Sequence, residues 1–151
     1  YLLLWATLPL LPEWFGASGA LRWRYVPGGC WGKTGRPGSG FHWRGDAELL
    51  LVYAKGNPRP FGTGAMSNLF LSARTEHSEK PEPWLRTCVE HFGTPGRPVL
   101  DRWAGMAPMA RATRALGRKY VGAELDPARH REAVLRLALA RDAAPFRPEA
   151  P

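Results

Sequence analysis

The stretch that decides the fold is residues 98–127, P-V-L-D-R-W-A-G-M-A-P-M-A-R-A-T-R-A-L-G-R-K-Y-V-G-A-E-L-D-P. Val99 and Leu100 form a short apolar run that ends at Asp101. Gly105 has no Cβ, so the backbone there can turn tightly and approach a ligand. Pro108 suits the first turn of a helix, where its missing N–H costs nothing. Met109, Ala112, Thr113 and Leu116 recur at i, i+3, i+4 and i+7 and share one helical face. Gly117 is placed to end that helix. Tyr120 and Val121 resume a strand, with Glu124 at its carboxyl end. This is a β-α-β unit of about thirty residues. It has the logic of a nucleoside-cofactor site: a glycine turn at a helix N-terminus, then an acid about twenty residues on that can accept hydrogen bonds from a ribose. On this pattern alone, a purely structural β-α-β unit reads equally well.

Outward from this unit, strands alternate with helices. Residues 1–6, Y-L-L-L-W-A, are a continuous apolar run, as in a strand covered on both faces. Leu8 to Phe15 reads as a short helix with Pro12 in its first turn and Gly16 near its end. Residues 21–26 alternate large apolar and basic residues, as in a half-exposed strand. Residues 27–46 are rich in glycine and hold Trp31-Gly32-Lys33 and Phe41-His42-Trp43-Arg44. A loop with such residues can offer cations to phosphates and rings to bases, so Trp31, Lys33, His42 and Arg44 are candidate nucleic-acid contacts. A surface loop whose aromatics fold back onto the core is the competing reading. Glu48 to Tyr53 is a buried strand, and Leu69 to Leu71 a brief extended piece. Trp84, Leu85, Cys88, Val89 and Phe92 form a helical face closed by Gly93. A last helix, 128–141, carries Val134, Leu135, Ala138 and Leu139 on one broad face. Residues 143–151 read as a disordered tail. The alternation predicts an α/β sandwich with a largely parallel sheet.

The chain has 151 residues, enough for one domain with a core. It opens on Tyr1 inside an apolar strand, which suggests a fragment. The formal net charge of +8 favours polyanions. A coding bias toward Arg, Ala, Gly and Pro explains the same number. Cys30 and Cys88 have neither metal spacing nor a disulfide framework, so both are expected to be reduced and structural, with no bound metal. No apolar run reaches membrane-spanning length, and a cytoplasmic setting is expected.

Four pieces of the chain resemble the permuted β-class amino-methyltransferases that act on DNA with S-adenosylmethionine, in the adenine-N6 branch related to RNA adenine methyltransferases. The first is L-L-L-W-A-T-L-P-L-L-P-E, followed by L-R-W-R-Y-V and W-G-K. The second is G-D-A-E-L-L-L-V-Y-A-K-G. The third is E-H-S-E-K-P, residues 76–81. The fourth is V-L-D-R-W-A-G-M-A with L-G-R-K-Y-V-G-A-E-L-D-P. They span residues 1–142 in the family's order.

The resemblance implies a Rossmann-like methyltransferase fold, a three-layer sandwich with a mostly parallel sheet, incomplete at its N-terminus. It implies S-adenosylmethionine as cofactor and methyl transfer to the exocyclic N6 of adenine in DNA, with N4 of cytosine as a variant of the same chemistry. Asp101, Trp103 and Gly105 fall on the cofactor loop D-x-F-x-G, and Glu124 on the acid that holds the ribose hydroxyls. His77, Ser78, Lys80 and Pro81 fall on the segment that flanks the cofactor from the other side. DNA is the expected partner ahead of RNA, in a phage or a restriction-modification setting. The resemblance leaves open a homodimer or a catalytic partner.

Two departures stand out. The family's D-P-P-W or D-P-P-Y segment, which grips the amino group, is absent: no Asp or Asn is followed by two prolines. No catalytic residue is therefore assigned, and the chain reads either as part of a longer enzyme or as an inactive relative. Second, Met106-Ala107-Pro108 stands where the family has small polar residues and a second glycine. There Ala107 adds a Cβ and Pro108 removes an N–H.

Overall fold

A computed structural model describes residues 1–35, 38–59, 67–73 and 79–139. The chain divides into two compact units, residues 1–74 and 75–151.

In the first unit, strand β1 (Leu2–Ala6) leads through a 3-10 turn (Leu8–Leu10) into helix α1 (Leu11–Leu21). Strands β2 (Arg24–Thr34), β3 (Ala47–Ala54) and β4 (Leu69–Ala73) complete a four-stranded sheet of order β1-β3-β2-β4. β3 lies between β1 and β2, antiparallel to both, and β2 runs parallel to β4. Its central place explains its sequence: Leu50, Leu51, Val52, Tyr53 and Ala54 are all buried, as an unbroken apolar run requires. Ala6, Leu51 and Tyr53 form a core against which Leu2, Leu4, Leu11, Trp14 and Trp23 pack. The Tyr53 ring meets the Tyr25 ring at 5.7 Å between centroids. Its hydroxyl is buried without a hydrogen-bond partner among the described residues.

The segment expected to be a loop over 27–46 is a strand as far as Thr34. Pro27, Gly28 and Gly29 signal a turn in the sequence but form a register shift between Val26 and Gly29 instead. A bulge tolerates a proline that cannot donate to the ladder. Gly28 is needed there because a Cβ would run into the carbonyl of Leu50. Helix α1 also continues past Gly16 and ends only at Arg22, which takes a left-handed conformation (φ 51°).

The second unit holds α2 (Glu82–Phe92), β5 (Val99–Asp101), α3 (Pro108–Ala115), β6 (Tyr120–Gly122) and α4 (Pro127–Leu139). β5 and β6 pair in parallel, Leu100 opposite Val121, so the β-α-β unit expected around Gly105 is present. α2 buries Trp84, Leu85, Cys88 and Val89, the face read from its spacing. Burial pushes the Cys88 thiol up to about 12, which makes it inert near neutral pH. α4 differs from expectation by one position: Ala133 is buried and Leu137 packs beside it, while Val134, Leu135 and Leu139 are exposed. Two contacts set this rotation, the Arg136–Glu79 ion pair and the bond from Arg114 Nη1 to the Leu137 carbonyl.

The α/β class is as expected. The strand pairing is mixed rather than largely parallel, since β3 is antiparallel to both of its neighbours. No helix among the described residues is long and apolar enough to cross a membrane. His77, Ser78 and the tail 143–151 lie outside the described residues.

Candidate functional site

The site in the second unit is built on the turn between β5 and α3. Asp101 ends β5 and uses both carboxylate oxygens locally. Oδ1 accepts from the Trp103 N–H at 3.2 Å, and Oδ2 accepts from the Tyr120 hydroxyl at 3.1 Å. Burial raises its pKa above the ordinary carboxylate value. The Trp103 and Tyr120 hydrogen bonds oppose that rise, and the nearby Glu124 charge adds to it. Tyr120 in turn is pushed up by burial and by Asp101. Two backbone bonds stitch the turn to the chain after β6: Ala104 N–H to the Ala123 carbonyl at 2.9 Å, and Ala123 N–H to the Asp101 carbonyl at 2.8 Å.

Gly105 sits in the left-handed region (φ 54°) and a Cβ there would meet no atom within 4 Å, so the space beside the turn is open. Its N–H donates to Glu124 Oε2 at 2.7 Å, while Glu124 Oε1 accepts from the Asp126 N–H at 3.1 Å. The Asp126 and Gly105 N–H groups hold the Glu124 carboxyl below the ordinary carboxylate range. The ionised form therefore stabilises the fold above the unfolded pKa, and this contribution is lost as pH falls through the folded pKa. Each Glu124 oxygen keeps a second lone pair, so the carboxylate can still accept from a vicinal diol. Asp126 caps α4 by accepting from the N–H groups of Ala128 (2.8 Å) and Arg129 (3.3 Å).

Ala107 is also left-handed (φ 56°), in the place where a second glycine is usual in the family resembled. A non-glycine residue there costs on the order of 1–2 kcal/mol. Its methyl is buried with Ala110 and Ala133, and returning one buried carbon contributes about 0.8 kcal/mol. The departure from glycine is thus a strained backbone partly offset by packing.

The described part of the 76–81 segment is tied to this turn through one arginine. Arg111, on α3, donates to Glu79 Oε2 at 2.7 Å, to Glu82 Oε2 at 3.2 Å and to the Met106 carbonyl at 3.2 Å. Glu79 Oε1 also accepts from Arg136 of α4 at 2.8 Å. Lys80 is half-buried, and Pro81 is buried at the N-cap of α2. Asp101, Trp103 and Gly105 thus lie on one turn, Glu124 is bonded to it from the chain after β6, and Glu79 is joined to it by Arg111. Trp103 itself is exposed, beside Arg102 at 5.9 Å from its ring. Tyr120, Glu79 and Arg111 were not among the expected site residues. Glu79 lies inside the quoted H-S-E-K-P run, but ion pairs spanning 32 and 57 positions leave no local spacing to read.

In the first unit the expected nucleic-acid contacts separate into two groups. Trp31 is fully buried, its indole N–H donating to Ser72 Oγ at 2.9 Å and its ring meeting that of Trp5 edge-on. The Lys33 side chain is buried too, paired with Glu48 across β2 and β3 and lying 4.8 Å from the Trp31 ring centre. A ring and a charge so enclosed are not available to a base or a phosphate, which corrects the expectation for both. His42 and Arg44 are exposed.

No family model matches the chain. Among curated proteins it is similar to "Putative methylase YubD" of Escherichia coli (strain K12), 33% identical over 95 residues. That alignment covers 60% of this chain and 41% of the relative, so the chain spans about two fifths of that protein's length. Among solved structures, M1.HpyAVI complexed with SAM superimposes with a TM-score of 0.73 at 17% identity, covering 89% of this chain and 72% of that one. TTHA0409 of Thermus thermophilus, a "Putative DNA Modification Methylase" complexed with S-adenosyl-L-methionine, gives 0.67 at 17% identity, over 94% and 67%. The cytosine-N4-specific PvuII DNA methyltransferase gives 0.61 at 12% identity, over 72% and 49%. The chain has the fold of these DNA methyltransferases.

Proposed function

We propose that the second unit binds S-adenosylmethionine and that the chain serves methyl transfer from it to an exocyclic amino group of a base in DNA, N6 of adenine being the acceptor. The observation that carries this reading is the Glu124–Gly105 bond at 2.7 Å, which sets an ionised diol acceptor beside a turn with open space over its glycine. The similarity in fold to M1.HpyAVI and TTHA0409, both solved with this cofactor, supports it. So does the similarity to a curated methylase.

When bound, the cofactor supplies a methyl group activated by a sulfonium. The rest falls to this chain's residues. Glu124 accepts from the ribose hydroxyls, and the Gly105 backbone lies against the ligand. Asp101 holds the turn through the Trp103 N–H and Tyr120. Lys80 meets the ligand's carboxylate or a nucleic-acid phosphate, and Pro81, buried beside it, belongs to the segment that flanks the ligand. His42 and Arg44 meet DNA phosphates. A base within a duplex must leave its stack to reach such a site. With no Asp-Pro-Pro or Asn-Pro-Pro in the sequence, no residue here is assigned to gripping the amino group. We take residues 1–142 as one methyltransferase domain, since the structural matches extend over 89% and 94% of the chain.

Isothermal titration calorimetry with S-adenosylmethionine tests the reading. Saturable heat is expected, with Glu124→Gln weakening binding by about tenfold or more, as loss of charged hydrogen bonds does. Binding should persist through the ordinary carboxylate range and fall only below it, because Glu124 ionises more readily than usual. No heat with the wild-type chain sinks the proposal. Transfer of labelled methyl to oligonucleotides containing either adenine or cytosine as the only amino base then decides the acceptor, a question the PvuII similarity keeps open.

A second reading, a methyltransferase-like module that binds nucleic acid or an active partner without catalysis, draws support from the left-handed Ala107 and the absent D-P-P segment. Ala107→Gly restores the usual residue. Cofactor affinity that rises from nothing to measurable in that variant favours this second reading.

A further inference from the structure

We propose that Phe41 and Trp43 are base-stacking residues, and that the loop carrying them selects unstacked or unpaired bases over intact duplex. Phe41 is 97% exposed and Trp43 is 88% exposed, whereas Trp31 and Tyr53 of the same unit are at 0% and 1%. Two large rings held in water this way are costly without a partner, because each leaves unburied the apolar area that aromatic residues normally use.

The loop that presents them is hydrogen-bonded. Gly38 N–H donates to Asp46 Oδ1 at 2.6 Å, Gly45 N–H to the Ser39 carbonyl at 3.0 Å, and Arg44 Nη1 to the Gly38 carbonyl at 3.2 Å. The Phe41 ring is braced edge-on by His42, centroids 4.9 Å apart. The rings flank His42, and Trp43 adjoins the cationic Arg44, in a chain of formal charge +8, the pairing of π-faces with a cation that single-stranded nucleic acid recognition uses. A protein partner would instead call for a continuous apolar patch. Base edges are not read by such rings, so the selection is for stacking access rather than for sequence.

The inference rests on the nucleic-acid reading above. It is tested with the full chain by fluorescence anisotropy on three labelled DNAs: a single strand, a matched duplex, and the same duplex with one abasic site. The F41A/W43A variant should bind the single strand and the abasic duplex at least about fivefold more weakly, with the matched duplex nearly unchanged. Trp43→Phe should retain binding where Trp43→Leu loses it, since only the former keeps a π-face. Arg44→Ala should instead lower the slope of log K against log salt on the single strand by about 0.7.

Equal losses on all three DNAs, no loss on any, or a Leu variant as good as Phe would each overturn the proposal. So would Trp43-dependent binding to phosphatidylserine vesicles with no binding to DNA. Cofactor calorimetry on the same preparations separates the two levels. Heat without stacking selectivity sinks the loop alone, and selectivity without heat sinks the methyltransferase reading alone.

Discussion

Two short runs in the first unit have nearly the same chemistry and opposite surroundings. Trp31-Gly32-Lys33 lies on β2, with its ring against Trp5 and its ammonium paired with Glu48. Phe41-His42-Trp43-Arg44 lies in the following loop, with both Phe41 and Trp43 in solvent. An aromatic beside a cation therefore does not mark a contact surface by itself. What separates the two runs is the partner each cation finds. Lys33 faces a carboxylate on the adjoining strand, whereas the guanidinium of Arg44 bonds a backbone carbonyl of its own loop, that of Gly38.

The sharpest way to break this contrast is to remove Lys33. Lys33→Ala leaves Glu48 charged and buried without its cation, and is expected to destabilise the fold by about 3–5 kcal/mol. Arg44→Ala is expected to stay within about 0.5 kcal/mol, as exposed substitutions do. Urea unfolding midpoints of the two variants should differ accordingly, and equal midpoints would erase the distinction. Next in size is Trp31→Phe, which removes the donor to Ser72 and part of the buried ring. A loss of about 1–3 kcal/mol is expected in the same measurement. On the exposed side, Trp43→Ala should leave the thermal midpoint within a degree or two while affecting DNA binding, its ΔΔG being within about 0.5 kcal/mol. A loss comparable to that of Trp31→Phe would mean the loop rings are structural after all. The smallest effect is expected at Tyr53→Phe. Its hydroxyl is buried and unpartnered among the described residues, so deleting it should be neutral or raise the thermal midpoint slightly.

These contrasts also show what could be read from the residues alone. The run Glu48–Tyr53 was legible from its unbroken apolar stretch, and the helix through Trp84, Leu85, Cys88 and Val89 by its spacing, which buries those four residues and leaves Phe92 half-buried. The β-α-β unit was legible in its order of strand, glycine turn, helix and strand, although α3 buries Ala110 beside Ala112 and Thr113 and leaves Met109 and Leu116 half-buried. β2 was not, because Pro27-Gly28-Gly29 has the composition of a turn, and only the opposing strand makes it a bulge. The interior fate of Trp31 and Lys33 was hidden behind that misreading. The Glu79–Arg111–Arg136 cluster was hidden by distance along the chain, as was the one-residue rotation of α4 that it helps set.

Ala107 has a consequence of another kind. Its backbone is left-handed, so β-branched and bulky residues are barred from the position, and it is 3% exposed, so the polar residues that tolerate such a backbone would lose their water. What survives both filters is alanine or glycine. In any library selected for a folded second unit, position 107 should collapse to a two-letter alphabet, while Trp103, four residues earlier and largely in solvent, should drift freely unless a ligand holds it. The breadth of tolerated residues at these two neighbouring positions would then distinguish constraint imposed by the backbone from constraint imposed by what the turn binds.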